Sequence, residues 1–383
     1  MLEPNLQVDL GVIGSAAVAD GVVFVGDAAA TLHAVDAATG EVRWTTKVDD
    51  QPAAAIWSSP IPWAGTVYVG VASVAKEAGF RGSVVALDAA SGEVRWQTFM
   101  VPEGADGAGV FAVPAIDPAR GALYVGTQNA YSETPAPYGD PTSVVALDAA
   151  TGARLWAFNA PPRGETAPTE DVAFSASPNL FAAEIAGQPR DLVGIGQKSG
   201  AYWALDRDGG EVVWRTEVAP AGPLGGMEGT AAVAGDSIAV PATDWPDPSG
   251  PGAGLVSVLD AADGSVRWTA ARSASVASPA AIGGEIVFQA GLDGLLVAYD
   301  LTDGSEVWRT ELGASAAAGV AIADGTVLVP VAAPPFAPFV VAGTTIRAFA
   351  LDAGPPRASP IAGGATSSIA ATAGVASALA DRR

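Results

Sequence analysis

The chain has 383 residues, with 41 acidic against 19 basic side chains, a net charge of −22 and no cysteine. That charge repels phosphate backbones and anionic lipid surfaces, which sets nucleic acid aside as a partner. The missing cysteines exclude disulfides, a thiolate zinc site and covalently attached haem, so any electron acceptor must be a separate molecule.

A hydrophobic share of 49% allows a large core, while 46 Gly and 29 Pro argue for many short strands rather than long helices. The opening Met1-Leu2-Glu3-Pro4-Asn5 has no basic start and no apolar stretch, so no signal peptide is expected in this chain. From there one phrase recurs. An Asp is followed by a Gly four residues on and a Trp eight residues on: Asp36, Gly40, Trp44; Asp88, Gly92, Trp96; Asp148, Gly152, Trp156; Asp206, Gly210, Trp214; Asp260, Gly264, Trp268; Asp300, Gly304, Trp308. A seventh copy at Asp352 lacks both the Gly and the Trp. The phrase predicts a β-hairpin in which the carboxylate accepts turn N–H groups, the Gly supplies a positive φ and the Trp enters the next strand. Before each Asp lies a β-rich run, at 22–25, 66–69, 122–125, 192–195, 237–240, 285–288 and 326–329, each read as a buried inner strand.

Repeats of roughly 40–60 residues with several strands each predict an all-β fold, a β-propeller of four-stranded antiparallel blades. Seven repeats are readable, so the ring has seven or eight blades. The in-phase Trp residues are expected to be largely buried between blades. Four repeats carry insertions between the inner strand and the Asp, at 72–82, 128–142, 242–254 and 331–343. Insertions confined to one connection mark a candidate binding face. The propeller is expected over 1–354, and 355–383, rich in Ala, Gly and Ser, reads as a flexible tail too weakly apolar to span a membrane. The one histidine, His33, falls inside a repeat hairpin, which argues against a histidine-based hydrolase.

These repeats resemble those of pyrroloquinoline-quinone (PQQ) enzymes. Gly82-Ser83-Val84-Val85-Ala86-Leu87-Asp88, Tyr124-Val125-Gly126-Thr127-Gln128-Asn129, Ser177-Pro178 and Gly196-Gln197-Lys198-Ser199-Gly200 resemble the polyvinyl alcohol dehydrogenase branch of the quinoprotein alcohol dehydrogenases. The resemblance implies an extracytoplasmic protein that oxidises a small-molecule or polymeric alcohol with PQQ and Ca²⁺. It assigns Asn129 and Glu77 to the metal, Phe111, Asn129 and Lys198 to the cofactor, and Asp171 to proton transfer. Four features depart from the family, among them the missing vicinal cysteine pair and the missing Trp after Gly225-Gly226-Met227-Glu228, where Gly229 follows directly. Ala173 stands where the base Asp is expected, leaving Asp171 as the nearest carboxylate, and Phe111 replaces the stacking Trp. A non-catalytic propeller acting as a scaffold for protein partners is the alternative, because the same blades serve both roles.

Overall fold

The computed structural model describes residues 11–12, 14–73, 79–129, 142–160, 172–221, 225–245, 250, 252–331, 343 and 345–350, together with the backbone of 370–371. Among these residues every regular element is a strand, and the strands form seven sheets in sequence order. The first sheet shows the pattern: Ala17–Ala19, Val22–Gly26, Thr31–Asp36 and Val42–Lys47 lie side by side, each antiparallel to the next. Alternation sets which faces are buried. In Val22–Gly26 every second residue is buried, whereas Val42–Lys47 at the far edge has none in the core.

The recurring phrase folds as its chemistry requires. Asp36, Asp88 and Asp148 each accept two turn N–H groups through Oδ1, from Ala38 and Thr39, Ala90 and Ser91, and Ala150 and Thr151. The six phrase glycines, from Gly40 to Gly304, all have φ between 72° and 78°. A second constraint also holds several of them. A Cβ on Gly92, Gly152, Gly264 or Gly304 would come within 2.6 Å of the indole of Trp44, Trp96, Trp214 or Trp268, the Trp of the preceding repeat. Each of those indoles also donates its N–H to a carbonyl of the same hairpin, at Ala89, Ala149, Ala261 and Leu301. Trp and Gly of successive repeats therefore interlock.

The chain divides into two compact units. The first comprises 1–180 with the hairpin 205–212, and the second comprises 181–204 and 213–383. The first holds three sheets around two apolar clusters, one centred on Phe24, Leu32, Ile56 and Val69 and one on Tyr68, Leu123, Val125 and Leu147. The hairpin 205–212 counts with it, since Trp156 donates to Arg207 O and lies against Gly210. The second unit holds the rest of the fourth sheet and the last three sheets. Its clusters gather around Leu192, Tyr202 and Val240, and around Phe288, Val329 and Phe349.

Several expectations change. The β-rich runs are buried, but they form the second strand of each sheet. A first strand precedes them, only three residues long in most repeats, such as Ala115–Asp117 and Ala232–Ala234. The phrase Trp residues are less buried than expected: Trp214 is 8% exposed, and the other five are half-buried beside the hairpin they cover. The insertion at 242–254 is partly sheet, because Ser237–Asp244 stays paired with Ala253–Asp260 to its last residue. All four insertions do fall in one connection, between the second and third strands. Of 355–383, only Ala370–Ala371 is described, running parallel to Thr345–Ala350.

Candidate functional site

In five of the repeats the entering segment crosses the end of the second strand of the repeat before it, and one hydrogen bond fixes the crossing. Ile56 N donates to Asp27 O, Val110 N to Val71 O, Phe174 N to Thr127 O, Met227 N to Gln197 O and Ala316 N to Gly291 O. The next residue therefore occupies an equivalent place each time: Trp57, Phe111, Ser175, Glu228 and Ala317. Unlike the hairpin at the other end of the sheet, this place carries a different side chain at each of the five crossings.

In the first unit Phe111 sits at this crossing, with its ring centroid 4.7 Å from that of Trp57 at an interplanar angle of 50°. Trp57 lies in a short detour between Ala54–Ile56 and Ile61–Trp63, two strands that both pair with Thr66–Ser73. The Ser58 hydroxyl holds that detour by accepting from Gly70 N. The buried Trp57 Nε1 has no hydrogen-bond partner among the described residues. Asn129 follows the second strand Ala122–Gly126. Its Oδ1 accepts from Thr142 Oγ1 at 3.0 Å, and its backbone O accepts from Ala108 N at 3.1 Å. The bond from Thr142 orients the amide, whose oxygen carries two lone pairs. Ala173 is 2% exposed and presents only a methyl group.

In the second unit the turn Gln197-Lys198-Ser199-Gly200 caps the second strand Gln188–Gly196. Gly200 N donates to Gln197 O, and Gln197 N to Ala201 O. Gln197 Oε1 accepts from Ser199 Oγ at 2.6 Å and from Trp203 Nε1 at 3.0 Å, so the turn is fixed by side chains as well. Lys198 is 8% exposed, and its Nζ lies 3.2 Å from Glu228 Oε1. Glu228 is held to it by backbone. Gly226 exchanges two hydrogen bonds with Thr243, and a Cβ on Gly226 would meet Lys198 O at 2.1 Å, so the crossing presses against the turn.

Glu77 and Asp171 lie outside the described residues. Among the described residues no group of three or more His, Cys, Asp or Glu is placed to hold a metal ion. The sequence reading missed Trp57 and the pairing of Glu228 with Lys198. Aligning the segments that enter each repeat, instead of the hairpins that leave it, would have placed both in register with Phe111. His33 is structural: its ring contacts Thr45 Oγ1 and Asp27 Oδ2. Burial raises the pKa of Asp27, but the bond to His33 and those from the Thr31 and Ala29 N–H groups hold it below the usual carboxylate value.

Two family models match the chain. One, described as outer membrane protein assembly factor BamB, covers residues 5–139 and 252–355. The other, the β-propeller domain of glucose/ethanol/alcohol dehydrogenase, covers 100–249. A polyvinylalcohol dehydrogenase from Pseudomonas sp is 32% identical over 281 residues, covering 63% of this chain and 43% of that protein. The chain thus spans less than half the length of this curated relative. Among solved structures, the quinohemoprotein alcohol dehydrogenase from Comamonas testosteroni superposes with a TM-score of 0.73 at 22% identity, covering 86% of this chain and 65% of that one. BamB from Moraxella catarrhalis gives 0.58 at 16%, covering 84% and 80%. Both superpositions speak for the β-propeller fold.

Proposed function

This chain belongs to the PQQ-repeat β-propeller family, and on that premise we propose that it oxidises an alcohol, with PQQ as cofactor and a separate molecule as the final electron acceptor. The observation that carries the reading is Lys198, an ammonium kept almost out of solvent on a rigid turn. Glu228 meets that charge from one side, and an ammonium with three donors can take further anionic oxygens. When bound, PQQ supplies a planar quinone that takes two electrons, and carboxylates that need cationic partners.

Each unit by itself holds groups that suit PQQ. In the second, Lys198 offers a positive charge; in the first, Phe111 with Trp57 offers an aromatic surface and Asn129 an oriented amide oxygen. For Ca²⁺ the described residues supply only the neutral oxygen of Asn129. The anionic ligand expected beside it, Glu77, lies outside them. Alcohol substrates, small or polymeric, and an extracytoplasmic setting belong to the same proposal. No helix among the described residues is long and apolar enough to cross a membrane.

Titration of the protein with PQQ in the presence of Ca²⁺ tests the reading. Saturable binding is expected, weakened roughly 5- to 150-fold by Asn129→Ala or Lys198→Ala, since each removes a polar partner worth about 1–3 kcal/mol. No binding with Ca²⁺ in excess overturns it. The buried methyl of Ala173 favours a second reading, a propeller without catalysis that presents its surfaces to protein partners. Absence of PQQ binding leaves that reading in place.

A further inference from the structure

Ala173 cannot accept a proton and Asp171, the nearest carboxylate in sequence, lies outside the described residues, yet an alcohol gives up its C–H electron pair readily only as its O–H proton leaves. We infer that Glu228 is the proton acceptor of this chain, a catalytic carboxylate held in place by Lys198. The inference rests on the PQQ reading above and assigns a role within it to a residue which that reading leaves unused.

Four observations carry it. Glu228 occupies the crossing position that Phe111 occupies in its own repeat, fixed by the bond from Met227 N to Gln197 O. Its side chain is 37% exposed, whereas the Lys198 side chain beside it is 10% exposed, so the carboxylate is the member of the pair that solutes can reach. Oε1 is taken by Lys198 Nζ at 3.2 Å, and Oε2 has no hydrogen-bond partner among the described residues. A carboxylate anchored by one oxygen and open at the other has the form a general base needs: oriented, charged and with a lone pair to offer. Finally, the backbone on both sides is fixed. Gly226 is wedged against Lys198, and a Cβ on Gly229 would meet Ser278 O at 2.5 Å, so Glu228 is carried on a strap with little room to move.

The step balances as follows. The carbinol O–H proton passes to Glu228 Oε2. The carbinol C–H bond breaks with its electron pair going, as hydride, to the quinone oxidant, and the C–O bond becomes the carbonyl of the aldehyde or ketone. The proton on Glu228 then leaves to solvent, and the two electrons go on to the separate acceptor.

The test compares the wild-type protein with Glu228→Gln and Glu228→Asp, each titrated with PQQ in Ca²⁺ and then assayed for alcohol-dependent dye reduction. Glu228→Gln is expected to bind PQQ at least as tightly as wild type, because Lys198 keeps its charge and loses its anionic neighbour. Its turnover is expected to fall about 100-fold or more, the range for loss of a general base. Glu228→Asp, with a carboxylate on a shorter arm, is expected to recover part of that loss. Three outcomes overturn the assignment while leaving the cofactor reading intact. They are PQQ-loaded Glu228→Gln turning over within threefold of wild type, Glu228→Asp failing as completely as Glu228→Gln, and PQQ-loaded wild type showing no turnover at all. Failure of wild type to bind PQQ instead removes the reading on which the inference stands.

Discussion

The two ends of each sheet obey different rules. At the hairpin between the third and fourth strands, the same three residues return repeat after repeat, and each is consumed by a neighbour: Asp by turn N–H groups, Gly by an indole face, Trp by a carbonyl of the next hairpin. At the crossing, where the following repeat passes the second strand, the backbone hydrogen bond recurs but the side chain beside it does not. It is Trp57, Phe111, Ser175, Glu228 or Ala317. In a repeat protein, then, recurrence marks the residues that hold neighbouring units together, and variation on a conserved backbone marks the place where one repeat does something the others do not.

Breaking the hairpin end should be costly. Trp156 donates to Arg207 O, lies 5.7 Å from the Tyr124 ring and covers Gly210, whose added Cβ would come 2.6 Å from the indole. Trp156→Ala is expected to destabilise by about 3 kcal/mol, at the low end for a large aromatic because the ring is only half-buried. Gly210→Ala should itself destabilise, and less so when Trp156 is already Ala, since the clash then disappears. A double-mutant cycle in urea checks the coupling, and additive effects would show that the two residues do not interlock.

A smaller effect, with a size that depends on pH, is expected at the hairpin where Trp156 meets the carbonyl of a charged residue, Arg207. Asp117 Oδ2 accepts from Arg207 in that hairpin and from Arg120. Burial raises the Asp117 pKa, but the bonds from Arg207 and Arg120 outweigh it, and the carboxyl stays below its ordinary value. A carboxylate whose pKa is depressed by folding contributes stability that is complete above its unfolded value of about 3.9 and is lost as pH falls through the folded value. Asp117→Asn should therefore cost about 1–2 kcal/mol at pH 7, with the difference from wild type shrinking steadily below about pH 4. A difference that grows in acid would reverse the assignment. The smallest effect is expected at the crossing: Ala317→Ser should stay within about 0.5 kcal/mol of wild type in thermal unfolding, because Ala317 is half-buried at the edge of the Trp245, Ala274 and Leu292 cluster and a hydroxyl there can reach solvent.

The same contrast explains what could be read from the sequence. The hairpins were legible because turn geometry admits few residues, so Asp36, Gly40 and Trp44 announce themselves and their copies confirm them. The short first strands were not: Ala17–Ala19 and Ala232–Ala234 contain only Ala and Val, too few residues for any alternation to register. The paired extension to Asp244 was hidden for a related reason, since residues that continue a hairpin past its usual length resemble an inserted loop until their partners are known. Asn129 and Lys198 were found through family resemblance. The contact of Lys198 with Glu228 was invisible because thirty positions separate them and only the crossing of one repeat over another brings them together. Trp57 was hidden by its own residue type, for in a chain with ten tryptophans, six of them in the repeated phrase, one more draws no notice.

The interlock of indole and glycine also bears on how such a chain can change its length. The five hairpins of Gly92, Gly152, Gly210, Gly264 and Gly304 each take the indole of the repeat before, so among these repeats one can follow another without a new surface being invented. Duplication or deletion of one of these repeats would leave the joints among the others chemically unchanged. What such an event would alter is the sequence of side chains displayed at the crossings. Ancestry can thus count its repeats freely, and only the order in which residues such as Phe111 or Glu228 come round is exposed to selection for chemistry.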